Sequence, residues 1–116
     1  MGMSLSSLFF PSKPIFFFKL ISVPVLAPGE MKMYDEETAL RPYRKFTPFS
    51  NIQMINTSTI NIEVLLDYNP DRKLIVLAGG TKALRNQPFN CFSIKNTDVA
   101  VATTADEVII ELETIR

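Results

Sequence analysis

Residues 60–67 read INIEVLLD. Ile60, Ile62, Val64 and Leu66 fall on one side of an extended chain, and Asn61, Glu63 and Asp67 on the other. Successive side chains of a strand point to opposite faces, so this period of two marks a strand with one face buried and one wet. Tyr68-Asn69-Pro70-Asp71 follows as a turn, because Pro fixes φ while Asn and Asp bond back to their own backbone. Upstream, Asn51-Ile52-Gln53-Met54-Ile55-Asn56 also reads as a strand, and Thr57-Ser58 suits a tight connection. Residues 50–67 are therefore expected to form a hairpin.

The same grammar extends in both directions. Lys73 to Ala78 is a short strand, and Gly79-Gly80 admits a positive φ or a bulge. Thr81 to Arg85 is a short strand or an irregular edge that Asn86-Gln87-Pro88 should break. Phe89 to Lys95 is another strand, closed by the Asn96-Thr97-Asp98 turn. Val99 and Val101 alternate with Ala100 and Ala102, and Val108, Ile110, Leu112 and Thr114 alternate with Ile109, Glu111, Glu113 and Ile115. Residues 35–41 (DEETALR) can form one helical turn, capped by Asp35. No helix of ordinary length is expected. Six to nine short strands between turn signals predict an all-β chain, an antiparallel β-sandwich of jelly-roll type. Residues 19–116 form its single domain and residues 1–18 an extended N-terminal arm.

Length and composition narrow the chemistry. The chain has 116 residues, 12 Lys plus Arg against 12 Asp plus Glu, no His, no Trp and one Cys. That is one domain. Without His there is no Ser–His–Asp or Cys–His catalysis and no His-based metal cage, and one Cys makes neither an internal disulfide nor a four-Cys zinc site. A neutral chain is a poor partner for nucleic acid, whose binding rests on many Lys and Arg contacts to phosphate. No cofactor and no enzymatic activity are expected. Charge is nonetheless uneven. Residues 1–29 carry Lys13 and Lys19 and no acid, whereas residues 96–116 carry Asp98, Asp106, Glu107, Glu111 and Glu113 against Arg116. The two ends can therefore meet head to tail in an assembly.

Residues 5–28, LSSLFFPSKPIFFFKLISVPVLAP, are the most apolar stretch. A transmembrane helix needs about 20 mostly apolar residues. Lys13, Lys19, Pro11, Pro14, Pro24 and Pro28 interrupt this one. A secretory signal needs a basic start, and the first twelve residues have no Lys or Arg. An extended arm leading into a strand fits better: prolines favour extended backbone, Ile15 to Leu26 is rich in Phe, Ile and Val, and Pro28-Gly29 marks a turn. Phe9, Phe10, Ile15, Phe16, Phe17 and Phe18 are the candidate interface residues, buried by a neighbouring subunit or, alternatively, by lipid. Met1-Gly2-Met3-Ser4-Leu5-Ser6 also fits the loose myristoylation pattern, which matches often by chance.

The remaining motifs have plainer readings. Ala78-Gly79-Gly80-Thr81-Lys82 lacks the spacing and following helix of a phosphate loop. Asp35-Glu36-Glu37 lacks the alternating ligands of a calcium loop. Arg41-Pro42-Tyr43-Arg44-Lys45-Phe46 interleaves basic and aromatic residues, as a base-stacking surface does, but is one short cluster that cation–π packing explains. Glu111 and Glu113 keep a strand soluble rather than forming a glycosidase pair. Asn56-Thr57-Ser58 is a formal N-glycosylation sequon, and Cys91, between Asn90 and Phe92, reads as a small buried apolar side chain.

The order of the body, with "IEVLLDYNPDRKL", an "AGGT" turn, "QPFNCFSIKNTD" and a terminal "ADEVIIELE" strand, resembles small virion-associated β-sandwich proteins of DNA viruses of bacteria or archaea. The likeness covers about residues 20–116. It implies a capsid, vertex or decoration component located in the virion, with homo-oligomeric contacts and other virion proteins as partners. No functional residue carries over from it. The expected function is a non-enzymatic structural subunit acting through inter-subunit contacts. The alternatives are a membrane-anchored or cell-surface binding module and a small-molecule or carbohydrate-binding β domain.

Overall fold

The period-two segments become eight strands in two sheets that share one apolar interior. A computed structural model describes residues 16–115. The strands are β1 (Phe16–Ser22), β2 (Met31–Tyr34), β3 (Phe49–Asn56), β4 (Ile62–Leu66), β5 (Lys73–Val76), β6 (Thr81–Phe89), β7 (Phe92–Asn96) and β8 (Val108–Ile115). One sheet has the order β1-β8-β3-β6 and the other β2-β7-β4-β5, and every neighbouring pair is antiparallel. This interleaving is that of an eight-stranded jelly roll, the fold class that the strand pattern predicts. β1 begins at Phe16, so three residues of the expected arm belong to the first sheet.

Three local expectations need correction. Residues 50–67 are not a hairpin: β3 lies in the first sheet and β4 in the second, and the chain crosses between them. Alternation reveals which side chains face inward but not which sheet a strand joins, and a jelly roll changes sheet at most of its connections. The hairpin of this region is β4–β5, joined by the turn at Asp67–Arg72. Asn86-Gln87-Pro88 does not end β6, which runs on to Phe89. Instead Asn86 takes a φ of 58° and the register with β3 shifts there, so an irregularity absorbs the interruption. Finally, Val99 to Ala102 form no strand. Asp98 Oδ2 accepts from the amides of Ala100 and Val101 at 2.8 and 2.6 Å and holds a loop, with Val99 left 94% exposed.

A chain of rings crosses the interior. Phe46 stacks on Phe17 with centroids 4.1 Å apart, Phe17 leads to Phe49 at 6.2 Å, and Phe49 to Phe89 at 5.5 Å. Phe89 meets Phe92 edge-on at 6.2 Å, and Phe92 stacks on Tyr34 at 4.9 Å. The rings come from both sheets, so the chain ties them together. Offset and edge-on pairs of this kind add about 0.5–1.5 kcal/mol each beyond their burial. Residues 35–46 cover the open side beside β1. Asp35 caps there as expected: its Oδ1 accepts from the Thr38 hydroxyl at 2.8 Å and from the amides of Thr38 and Glu37 at 2.9 and 3.0 Å. Those bonds, the Thr38 hydroxyl first, hold the Asp35 carboxyl below its ordinary pKa. The helix that follows is a 3-10 helix at Arg41–Phe46, later than the sequence places it.

Tyr34 is 3% exposed and its hydroxyl has no hydrogen-bond partner among the described residues. Burial pushes its pKa from 10.0 up to about 12. Burial, together with the nearby Cys91 and Asp35, moves Tyr68 from 10.0 to about 12 as well. A phenol that holds its proton more tightly when folded contributes fully below the unfolded value, and that contribution is lost as pH rises towards the folded one. Stability should therefore fall between pH 10 and about 12. Chemical denaturation across that range checks this, and Tyr34→Phe should shallow the decline.

Candidate interaction surface

The first sheet turns one face to the core and the other outward. On β1, Phe17 and Ile21 pack against the core, which leaves Phe16, Phe18 and Leu20 on the outer face. Phe16, Phe18 and Leu20 are 69%, 48% and 51% exposed. Register builds this face into rows. Phe16 lies opposite Ile115, which is itself exposed. The next row runs Phe18, Glu113, Asn51, Arg85, and the one after it Leu20, Glu111, Gln53, Ala83. An apolar stripe along β1 thus adjoins a polar middle, and a shallow cleft opens between Phe18, Gln53 and Arg85. A second hollow, lined by Pro48, Ser50, Asn86, Pro88 and Ile115, lies at the end where β1 begins.

The two acids of this face differ. The Asn51 amide donates to the Glu113 carboxylate, and Arg85 lies 4.0 Å away. Asn51 Oδ1 in turn accepts from the Asn86 amide at 2.9 Å, which fixes the irregularity in β6. No cation among the described residues pairs with Glu111. The two acids share one strand face, as the sequence implies, but their neighbours are Phe18, Leu20 and amides rather than the walls of a deep cleft.

Of the six candidate interface residues, Phe9, Phe10 and Ile15 lie outside the described residues. Phe16 and Phe18 stand on the outer face. Phe17 points the other way, between Phe46 and Phe49, and its ring is committed to the fold. A run of three phenylalanines in a strand must split between two faces, so the run could not act as one patch. Leu20 and Ile115 complete the stripe and were missed. Leu20 was legible from its period-two spacing to Phe16 and Phe18, whereas Ile115 needed the β1–β8 register.

The other motifs resolve into structure. Asn56 is 1% exposed. Its Nδ2 donates to the carbonyls of Ile60, Val76 and Leu77 at 2.7, 3.1 and 3.2 Å, and its Oδ1 accepts from the Ser58 hydroxyl and amide at 2.6 and 3.0 Å. The sequon is therefore spent on holding the crossing from β3 to β4, and the folded chain has no amide to offer a glycan there. Asn96, also buried, donates to Leu26 and Val101 carbonyls at 3.1 and 2.9 Å and does the same for the loop before β8. Gly79 takes a φ of 71° in the turn between β5 and β6, as a glycine there permits. Tyr43 and Phe46 of the basic aromatic cluster pack onto Phe17, with Lys19 5.6 Å from the Tyr43 ring and Lys45 5.2 Å from Phe46.

Cys91 is half-buried rather than fully buried. It sits over a knot in which Asp67 joins two turns: Oδ1 accepts from the Asn90 amide at 2.7 Å, and Oδ2 meets Arg72 at 2.7 Å. Arg72 also donates to the Pro88 carbonyl at 3.0 Å. Burial, with Asp67 and Glu36 nearby, pushes the Cys91 thiol up, which keeps it protonated and a weak nucleophile.

Eight antiparallel strands in this order make the chain a β jelly roll, with an apolar stripe on the outer face of its first sheet. No protein-family model matches the chain. No curated protein matches it either. Among solved structures it is similar to the cupin domain of Schizosaccharomyces pombe Cnp3, with 15% identity and a TM-score of 0.42, over 93% of this chain and 58% of that one. The chain thus spans little more than half the length of that structure.

Proposed function

We propose that this chain is a non-enzymatic structural subunit of a larger assembly such as a virion, working through contacts made by its N-terminal arm and the outer face of its first sheet. The observation that carries this reading is the stripe of Phe16, Phe18, Leu20 and Ile115, four large apolar side chains left contiguous and exposed. Contiguous exposed apolar surface marks an interaction site, and solvent exposure of two aromatic rings is otherwise an aggregation liability. The stripe begins at Phe16, next in sequence to a segment that carries Leu5, Leu8, Phe9, Phe10 and Ile15 and a single charged side chain, Lys13. The interior supports the same reading. Phe49, Phe89, Phe92, Leu26 and Ile94 are buried between the sheets, and the exposed apolar side chains of the stripe lie on the outer face. No helix among the described residues is long and apolar enough to cross a membrane.

The test is removal of residues 1–14. The strands begin at Phe16, so the shortened chain should keep its far-ultraviolet spectrum and unfold cooperatively. Its self-association, followed by sedimentation, should weaken at least tenfold. Unchanged assembly of the shortened chain would refute the role given to the arm.

A further inference from the structure

The stripe and Glu111, which no described cation pairs, define what would cover them. We propose that residues 5–14 of a second copy of this chain lie across the outer face of the first sheet, with Phe9 against Phe16 and Phe18 and with Lys13, on the same side of the extended arm, facing Glu111. This deepens the subunit reading above and rests on it.

Spacing and charge both fit. In an extended chain, the four residues from Phe9 to Lys13 span about 13 Å and leave both side chains on one side. On the sheet, the Phe16 row and the Leu20–Glu111 row are four residues apart along β1, which is about 13 Å. Lys13 is the sole charged side chain of residues 1–15. Glu111 is the acid of the face that lacks a described cation, whereas Glu113 already has Asn51 and Arg85. One cation four residues from a ring in the sequence therefore meets one anion beside an apolar stripe.

Reach selects a second copy over the chain's own arm. To fold back along β1, the chain would have to reverse within Pro14 and Ile15, since Phe16 is already in the strand. A two-residue reversal places Lys13 level with Phe16, about 13 Å short of the Glu111 row. Backbone chemistry selects the face over the edge. Pro11 and Pro14 lack the N–H donors that an added strand needs. On β1 itself Lys19 points to the inner side, over the Tyr43 ring, and an inward lysine on an edge strand opposes further pairing.

Sedimentation velocity over a concentration series, on full-length chains, tests this with two charge reversals. Lys13→Glu lies outside the described residues, and its thermal unfolding is compared with that of the parent. Glu111→Lys changes an outward side chain, and its thermal unfolding serves as the control. Each alone should weaken self-association about three- to tenfold, the range of an exposed pair turned repulsive. Mixing the two single variants should restore association, because the acidic arm of one chain then meets the lysine-bearing face of the other. Two outcomes overturn the docking: single variants that associate like the parent, or weakened variants that mixing does not rescue. A parent chain that is monomeric throughout overturns the subunit reading itself, so the two failures are distinguishable.

Discussion

Asn56→Ala is expected to lower the free energy of unfolding by about 3 kcal/mol, since a buried polar group left without a partner costs about 1–3 kcal/mol and several lose theirs at once. Asn56 is a node: its amide serves three carbonyls from the β3–β4 crossing and the end of β5, and its carbonyl holds Ser58. Urea denaturation measures the loss, with the slope unchanged if only stability moves. Asn56→Asp should be worse at neutral pH, because an ionised carboxylate would face carbonyl oxygens in a buried site. Such a carboxyl has its folded pKa raised. The variant should therefore be most stable below the ordinary Asp value of about 4 and lose stability as pH rises above it. An Asn56→Ala variant as stable as the parent would show that the crossing is held by other bonds.

Phe89→Ala should cost about 3–5 kcal/mol, the usual range for deleting a buried ring whose surroundings relax only in part. Phe89 is 1% exposed, ends β6 in the first sheet and contacts Phe49 on one side and Phe92 of the second sheet on the other. Its removal breaks the chain of rings at the link between sheets. Phe89→Leu keeps most of the volume and should cost less than half as much, so the pair separates cavity formation from the loss of ring contacts. Thermal or urea unfolding of both variants provides the measurement. Equal costs for Ala and Leu would show that ring geometry, and not the void, holds the sheets together.

Much of this architecture was legible in the residues because burial imposes a period on them. Ile62, Val64 and Leu66 are buried as their alternation requires, and Val108, Ile110 and Leu112 likewise. Sheet membership was not legible. The β3–β4 crossing depends on a buried asparagine making five hydrogen bonds, and from one chain the same Asn-Thr-Ser reads as a tight turn or a glycan acceptor. Breaker residues misled at Asn86-Gln87-Pro88 because an edge strand accommodates a proline and a residue with positive φ. The stripe on the outer face was half legible. The phenylalanine run announced apolar surface, while the split of Phe17 from Phe16 and Phe18, and the arrival of Ile115, followed only from pairing with β8.

The subunit role stands or falls on the state of the intact chain in solution. Its native mass, taken by sedimentation in detergent-free buffer over a wide concentration range, is the most direct measurement. A discrete oligomer well above the 13.1 kDa of one chain, which dissociates on dilution, is the expected result. A monomer near 13.1 kDa at every concentration would contradict it, and would mean that a single chain tolerates or covers its own apolar stripe.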